Sequence, residues 1–309
     1  MNNQQKQLNE IFEGSQPATA QDKIVNAILD LSQPLTEKTL VDFFDFINLE
    51  NIKALKDSGT LNGVFYAVSM RARENKPVKV SQATKRLFIK QIENAFENCR
   101  MSGKMQGITA FSTLKFCNHN CYKFQNVKGS ICEHCYVNLY TQSIVAFLKN
   151  TLAICFVEFK PADFKNMFVT VKNAKSFVRF EAMGDLINEI QASNYIKIAK
   201  AQSRIKFALW TKNFDILNKA LEANPAPKNL NLILSYLKIS QNGEDFSQSL
   251  TDIVKGENVK AFIVAKDEKT AGKILESNPN ASQCFAKNCA TCGKCYTKND
   301  SKLIVEVLK

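Results

Sequence analysis

Apolar residues recur at three- and four-residue intervals through roughly the first hundred positions of the chain. This spacing predicts helices over Asp22–Leu31, Leu40–Leu55 and Gln82–Cys99. Proline and glycine residues interrupt the pattern between the helices, as they do at turns. The pattern ends near Gly103, and we therefore predict a helical N-terminal region over residues 1–103.

From Ile108 onward, short apolar runs alternate with helical patterns. The runs predict strands over Ile108–Phe116, Leu152–Phe159, Phe177–Phe180, Ile205–Trp210, Asn231–Ser235 and Val259–Val264. Helices are predicted over Cys135–Lys149, Ile187–Ala201, Asn213–Glu222 and Lys269–Glu276. Because strands that are joined by helical crossovers run parallel, residues 104–309 are predicted to form an α/β domain with a parallel sheet.

The architecture that we predict for this domain is a partial or compressed parallel βα barrel of the TIM type. About two hundred residues are slightly few for eight βα units. The alternative is an open, doubly wound sheet, which normally carries a G-x-G-x-x-G first turn. The sequence contains no such turn.

Eight of the ten cysteines fall in two short segments. The first cysteine group has the spacing C-x3-C-x10-C-x2-C and consists of Cys117, Cys121, Cys132 and Cys135. The second cysteine group has the spacing C-x4-C-x2-C-x2-C and consists of Cys284, Cys289, Cys292 and Cys295. The N-terminus lacks the pattern of a signal peptide, so a reducing cytoplasm is expected, where thiols serve metals or catalysis more than disulfides. Cys99 and Cys155 stand alone and are predicted to be small buried hydrophobic residues.

The spacing of the second cysteine group is similar to the C-x2-C-x2-C run of ferredoxins and predicts a [4Fe–4S] cluster. The first group can hold a second cluster or share one with the second group. Zinc is the alternative metal, since two short cysteine pairs also suit a tetrahedral site. The first group follows a predicted strand and precedes a predicted helix, which is the catalytic end of a βα barrel. Both histidines of the chain, His119 and His134, lie within it.

The stretch from about Phe111 to Tyr296 resembles the phage gene-product eighty-eight family. The resemblance rests on Cys132-Glu-His-Cys135-Tyr136, Arg179-x-Glu181-x-x-Gly184-Asp185-Leu186, Trp210-Thr211-Lys212, and Cys292-x2-Cys295-Tyr296. It implies a phage-encoded iron–sulfur protein in the cytoplasm of an infected bacterial host, with a barrel and cysteine layout similar to radical S-adenosylmethionine (SAM) enzymes. SAM is then a further expected cofactor. The chain departs from that pattern because ten residues separate Cys121 from Cys132, and because it lacks a glycine-glycine-glutamate element for the SAM amino group.

Charged residues cluster where two predicted strands end. Arg179 and Glu181 are predicted to share one face of their strand, with Asp185 in the following loop, as an anion clamp and a general base. Lys212 ends the next strand and is a candidate for binding a carboxylate or a phosphate. His134 is a candidate proton acceptor beside the cysteines. The alternative for the charged residues is a solvated group of salt bridges.

The chain carries 41 Lys and Arg against 29 Asp and Glu, a net charge of +12. The charge permits nucleic-acid association, but the lysines are scattered and form no basic block, so no nucleic-acid interface is predicted. No apolar run approaches the roughly 20 residues of a membrane span. We predict an enzyme with its cluster at the barrel mouth, acting on a small molecule by radical-SAM-like chemistry. An esterase-like hydrolase that uses the cluster as a Lewis acid and a zinc-stabilised module that binds nucleic acid or a host protein are the alternatives.

Overall fold

The computed structural model of this protein describes residues 20–99, 101–124, 126–134, 141–167, 177–245, 254, 258–298 and 301–308. Within that part of the chain, five helices precede the first strand: α1 (Ala20–Leu29), α2 (Glu37–Phe46), α3 (Leu49–Asp57), α4 (Leu61–Arg73) and α5 (Gln82–Glu97). The helix predicted over Leu40–Leu55 is two helices, because Asn48 adopts an extended conformation and caps α3 by accepting a hydrogen bond from the amide of Asn51. Helix α4 was not predicted, and residues 1–19 of the predicted region lie outside the described residues. The five described helices are consistent with a helical N-terminal region.

Strands and helices alternate from Thr109 onward. The elements are β1 (Thr109–Phe111), α6 (His119–Phe124), α7 (Thr141–Cys155), β2 (Phe177–Phe180), α8 (Glu189–Ala201), β3 (Lys206–Thr211), α9 (Phe214–Ala223), β4 (Leu230–Ser240), β5 (Val259–Ala265), α10 (Glu268–Ser277), β6 (Ala281–Gln283), α11 (Cys289–Cys292) and β7 (Leu303–Val307). Short 3-10 turns lie at Gly103–Met105, Lys115–Cys117 and Pro161–Phe164. Six helices begin at a polar side chain that accepts a backbone N–H three residues further on: Thr36, Asn48, Ser81, Asn188, Asp267 and Asn288.

The strands form one seven-stranded sheet in the order β1-β2-β3-β4-β5-β7-β6. Every neighbouring pair is parallel. The first five strands therefore lie side by side in chain order, as successive βα units require. The predicted α/β class and parallel sheet are confirmed.

The two faces of the sheet have different surroundings. One face packs its alternate residues, such as Val178 and Leu232, into the main apolar core, to which α7, α8, α9 and α10 contribute Leu148, Ile196, Leu217 and Ile274. We call the opposite face, which carries Ala110, Arg179, Trp210, Ile233 and Lys260, the site face. A smaller apolar cluster lies on it, and none of its described members comes from those four crossover helices.

The N-terminal helices share the main core with the sheet. Helices α3 and α5 pack against α7, and their buried residues belong to the same apolar cluster as the helix-covered face. Asn188, the N-cap of α8, donates hydrogen bonds to the carbonyls of Ala72 in α4 and Cys155 in α7. The N-terminal region is thus fixed to the α/β region through buried apolar and polar contacts.

Further sequence predictions differ from the structure, and the predicted strand Ile108–Phe116 is shorter, at Thr109–Phe111. Leu152–Phe159 was expected to be a strand, but Leu152–Cys155 is the last turn of α7. The run is apolar on all sides because this helix end is buried on all sides, so it lacks the polar stripe that marks an amphipathic helix. The short strands β6 and β7, which flank the second cysteine group, were not predicted.

Candidate functional site

The second cysteine group covers part of the site face. It follows β6 and leads back into β7. The ring of Tyr296 stacks on that of Phe177, with their centroids 4.9 Å apart, and Cys289 and Cys295 pack against the same apolar cluster. From beneath, the buried Lys260 of β5 donates hydrogen bonds of 2.8 and 2.9 Å to the carbonyls of Lys294 and Thr297. These contacts fix the cysteine segment to the sheet.

Positive charges surround the thiols of this segment. Lys104 Nζ lies 3.0 Å from Cys284 Sγ and 2.6 Å from a carboxylate oxygen of Glu306. Burial alone would lower the pKa of Lys104, but these hydrogen bonds outweigh it and raise the pKa. Arg179 interacts electrostatically with Cys289 and Cys295, and Lys260 with Cys295. Of the residues that the structure describes, three cations and one carboxylate therefore face the second cysteine group.

The four thiols of the second group also influence one another. Burial raises the pKa of Cys284 and Cys289, and it raises the pKa of Cys295 to about 12. The neighbouring thiols add to each of these increases, while the nearby cations oppose them. Without a metal, Cys284, Cys289 and Cys295 therefore hold their protons at neutral pH, and a metal would have to displace those protons.

The thiols are neighbours without forming an assembled ligand shell. In the part of the chain that the structure describes, no three Cys, His, Asp or Glu side chains converge in the geometry of a metal site. Cys292 is exposed, and the other three members of the group are half-buried. The electrostatic coupling shows that the four thiols share one neighbourhood, but a common metal would require them to move closer together.

The described part of the first cysteine group, with Cys121 and Cys132, lies at the carboxyl ends of the strands. Asn118 accepts the amide hydrogen of Cys121 and donates to the carbonyl of Leu186, which ties α6 to the loop after β2. Ser130 forms an antiparallel bridge with Lys238 of β4, and its hydroxyl accepts from the amide of Cys132. The side chains of Cys117 and His119 and the whole of Cys135 lie outside the described residues. His134 lies in an exposed turn, with its Nε2 3.9 Å from Glu133.

Asp185 and Lys212 connect this group to the site face. Asp185 is buried and accepts hydrogen bonds from the hydroxyl of Thr211 and from the amides of Leu186 and Lys212. Burial raises the pKa of Asp185. Burial lowers that of Lys212, but Asp185 and the thiols of Cys121 and Cys132 outweigh it and raise the pKa. Arg179 acts on Lys212 in the opposite direction, so Lys212 lies near both Arg179 and these two thiols.

Glu181 and Arg179 do not share a face, so that prediction was wrong. Glu181 has a left-handed φ of 56°, which breaks the strand alternation immediately after β2. Its buried carboxyl points toward the helix side and accepts hydrogen bonds from Thr113, Gln191 and Tyr195. Burial raises the pKa of Glu181 to about 8. Gly184 is required in this loop, because a Cβ there would lie 2.8 Å from the carbonyl oxygen of Thr113.

Arg179 remains on the site face, where its guanidinium lies 3.9 Å from the centre of the Trp210 ring. Cys99 also reaches this face. It is half-buried there, and its sulfur accepts a hydrogen bond of 3.1 Å from the amide of Ala110, whereas Cys155 is fully buried as predicted. Sequence reasoning missed Lys104 and Lys260. A lysine in the middle of the otherwise apolar run of β5 was the available signal for Lys260.

Comparison with known proteins gives one match. A family model described as Gene product 88 matches residues 97–298, which is more than half of the chain. No curated protein and no solved structure matches significantly. Among the described helices, none is long and apolar enough to cross a membrane.

Proposed function

Because the chain belongs to the Gene product 88 family and brings four thiols together beside three cations, we propose that it is a phage-encoded iron–sulfur enzyme. In this proposal, Cys284, Cys289, Cys292 and Cys295 hold a [4Fe–4S] cluster on the site face. A small-molecule substrate lies between this group and the first cysteine group. Because the crossover helices α7 to α10 cover only one face, we infer that the sheet is a partial parallel barrel whose interior is the site face.

The observation that carries the proposal is the charge around the second cysteine group. Among the described residues, Lys104, Arg179 and Lys260 face these thiols together with the carboxylate of Glu306. In that part of the chain, two positive charges are left over. A [4Fe–4S] cluster with four thiolates carries about two negative charges in its oxidised state. The donor set and the surrounding charge therefore fit such a cluster. The positive charges stabilise the thiolate form of the cysteines, which burial alone disfavours.

Zinc with four thiolates has the same net charge, so charge alone does not select the metal. The three cysteines spaced by two residues favour iron, because structural zinc sites more often use two separated pairs. When bound, a cluster held by four thiolates would supply one-electron chemistry, whereas a cluster held by only three would also offer an iron to a ligand such as SAM or a polarised substrate oxygen. Two cysteine groups leave room for a second cluster.

The protein's own side chains have distinct roles in this proposal. Arg179 and Lys212 face the space between the cysteine groups and bind substrate. Asp185 positions Lys212 and the end of β3 through its hydrogen bonds to Thr211 and Lys212. The hydrolase alternative is weaker, because Glu181 and Asp185 are 2% and 1% exposed and their oxygens are occupied by protein donors. The exposed His134 is the remaining candidate for the proton acceptor in the hydrolase alternative.

Anaerobic purification followed by iron, zinc and acid-labile sulfide analysis tests the proposal. We expect about four iron and four sulfide per occupied cluster. Cys295→Ala should lose a cluster's iron, whereas Cys155→Ala should retain it, because Cys155 is buried in the main core away from the site face. Stoichiometric zinc without sulfide would contradict the iron proposal. Equal iron in the two variants would show that the second cysteine group is not the ligand set.

A further inference from the structure

Arg179 lacks an acidic partner among the described residues. Its Nη1 lies 3.5 Å from the sulfur of Met105, a weak acceptor, and its Nε is buried with no acceptor at all. Its guanidinium plane is fixed against the Trp210 ring. A buried donor without an acceptor destabilises a protein, so an acceptor is expected to arrive with a ligand. The edge formed by Nε and Nη2 is the part of the guanidinium left for it.

Lys212 lies near Arg179. It follows Trp210 by two residues, immediately after the end of β3, and it interacts electrostatically with Arg179. Its Nζ is 3.9 Å from Asp185, which is too long for a hydrogen bond. Asp185 already accepts from Thr211 and from two backbone amides. In the described part of the chain the ammonium of Lys212 therefore keeps its N–H groups for another acceptor.

The two cations repel each other across this space. Arg179 opposes the increase in the pKa of Lys212, and the Asp185 carboxylate lies 3.9 Å from Lys212 Nζ without a hydrogen bond to it. Like charges held together on a partly buried surface are stabilised when an anion binds between them. A guanidinium edge donates two parallel hydrogen bonds to a carboxylate or a phosphate, and a lysine adds a point charge.

We propose that Arg179 and Lys212 form a binding site for the carboxylate or phosphate group of a small molecule, between the two cysteine groups. This site deepens the proposed function by giving the chemical class of its substrate, an oxyanion. Only the identification of the ligand as a substrate rests on the proposed enzyme. The other acceptor within reach of Arg179 is a metal-bound sulfur of the second cysteine group, since Arg179 also interacts with Cys289 and Cys295.

The single tryptophan of the chain makes the test direct, because Trp210 contacts Arg179 and its fluorescence reports on this site alone. The anaerobically purified protein is titrated with inorganic phosphate and, separately, with acetate at constant ionic strength. Arg179→Gln and Lys212→Gln remove one cation each. Lys206→Gln is the matched control, because Lys206 is an exposed lysine on the same strand as Trp210. Equilibrium dialysis with labelled phosphate checks binding independently of the fluorescence.

We expect saturable binding of at least one anion in the wild type and in Lys206→Gln, and at least about tenfold weaker binding in both site variants. Comparison of the phosphate and acetate titrations shows whether the site binds a phosphate or a carboxylate group. Absence of saturable binding in the wild type would overturn the inference, as would equal weakening in Lys206→Gln. Loss of iron in Arg179→Gln with unchanged anion binding in Lys212→Gln would assign Arg179 to the cluster and also overturn it. A protein without iron refutes the proposed cluster, but the same titration still decides the anion site.

Discussion

Replacing the buried Glu181 by glutamine removes one ionisable group from the interior and leaves the shape of the side chain almost unchanged. The carboxyl accepts hydrogen bonds from the amide and hydroxyl of Thr113, at 3.2 and 3.1 Å, from Gln191 at 2.7 Å, and from the hydroxyl of Tyr195. These donors favour the ionised form. Burial, aided by repulsion from Asp185, outweighs them and raises the pKa of Glu181 to about 8. The folded chain therefore keeps this carboxyl largely protonated at neutral pH.

The consequence for stability follows from the difference between the folded and unfolded chains. Unfolding returns Glu181 to its ordinary pKa of 4.5. Between that pH and about 8 the folded state binds one more proton than the unfolded state, so the free energy of unfolding falls as the pH rises. The slope is about 1.4 kcal/mol per pH unit, and across the whole interval the loss approaches about 5 kcal/mol. The stabilisation that comes from the raised pKa of Glu181 is fully present below pH 4.5, the pKa of this group in the unfolded chain.

Urea denaturation of the wild type and Glu181→Gln under reducing conditions, at about pH 5, 6, 7 and 8, measures this difference. Titrating groups that do not interact with Glu181 cancel between the two proteins, so we expect the variant to gain stability relative to the wild type by about 1.4 kcal/mol for each pH unit. Glu158→Gln is the control, because the Glu158 side chain is 64% exposed beside Lys197. It should follow the wild type at every pH. Parallel pH profiles for wild type and Glu181→Gln would refute the reasoning.

Two further substitutions test the loop after β2 and the support of the second cysteine group. Gly184→Ala should destabilise the fold by about 1–3 kcal/mol through its collision with the Thr113 carbonyl, whereas Gly272→Ala, in the open interior of α10, should stabilise it by about 0.5–1 kcal/mol. Urea unfolding checks both signs, and equal effects would contradict the described packing. Lys260→Met removes the hydrogen bonds to the carbonyls of Lys294 and Thr297 while leaving every thiol in place. We expect it to retain less iron than wild type during dialysis against a chelator, and unchanged retention would show that this support is dispensable.

The sequence predicts the α/β region well where each element has a clear period. β2 has the predicted bounds, and β5 extends only one residue further than the predicted Val259–Val264. The failures have local causes. At Leu152–Cys155, a helix end that is buried on all sides has the continuous apolar pattern of a buried strand. Strands β6 and β7 are too short or too close to the cysteines to give a recognisable alternation of apolar and polar residues. The order of the strands in the sheet cannot be predicted from the local sequence pattern either, because β7 lies between β5 and β6.

The candidate site is predictable in composition but not in arrangement. Cysteine spacing identifies the two groups, and strand ends identify Arg179, Asp185 and Lys212 as polar residues near them. The left-handed φ of Glu181 cannot be read from its residue type, since such conformations are uncommon outside glycine. Lys104 likewise comes from a turn far from the second cysteine group in sequence, and only the fold brings it within 3.0 Å of Cys284.

The distribution of charge over the two faces of the sheet explains why the second cysteine group folds back onto it. Crossover helices cover one face with apolar side chains, and the buried Glu181 on that side is neutralised by its proton. The site face carries Arg179 and the buried Lys260, and the apolar cluster on that face includes no described residue of the crossover helices. The segment that covers these cations is the one that brings four thiols, and thiols become anionic when they bind a metal. In the proposed cluster the cations stabilise the thiolates and the thiolates offset the buried cations, so metal binding and docking of this segment are expected to stabilise each other.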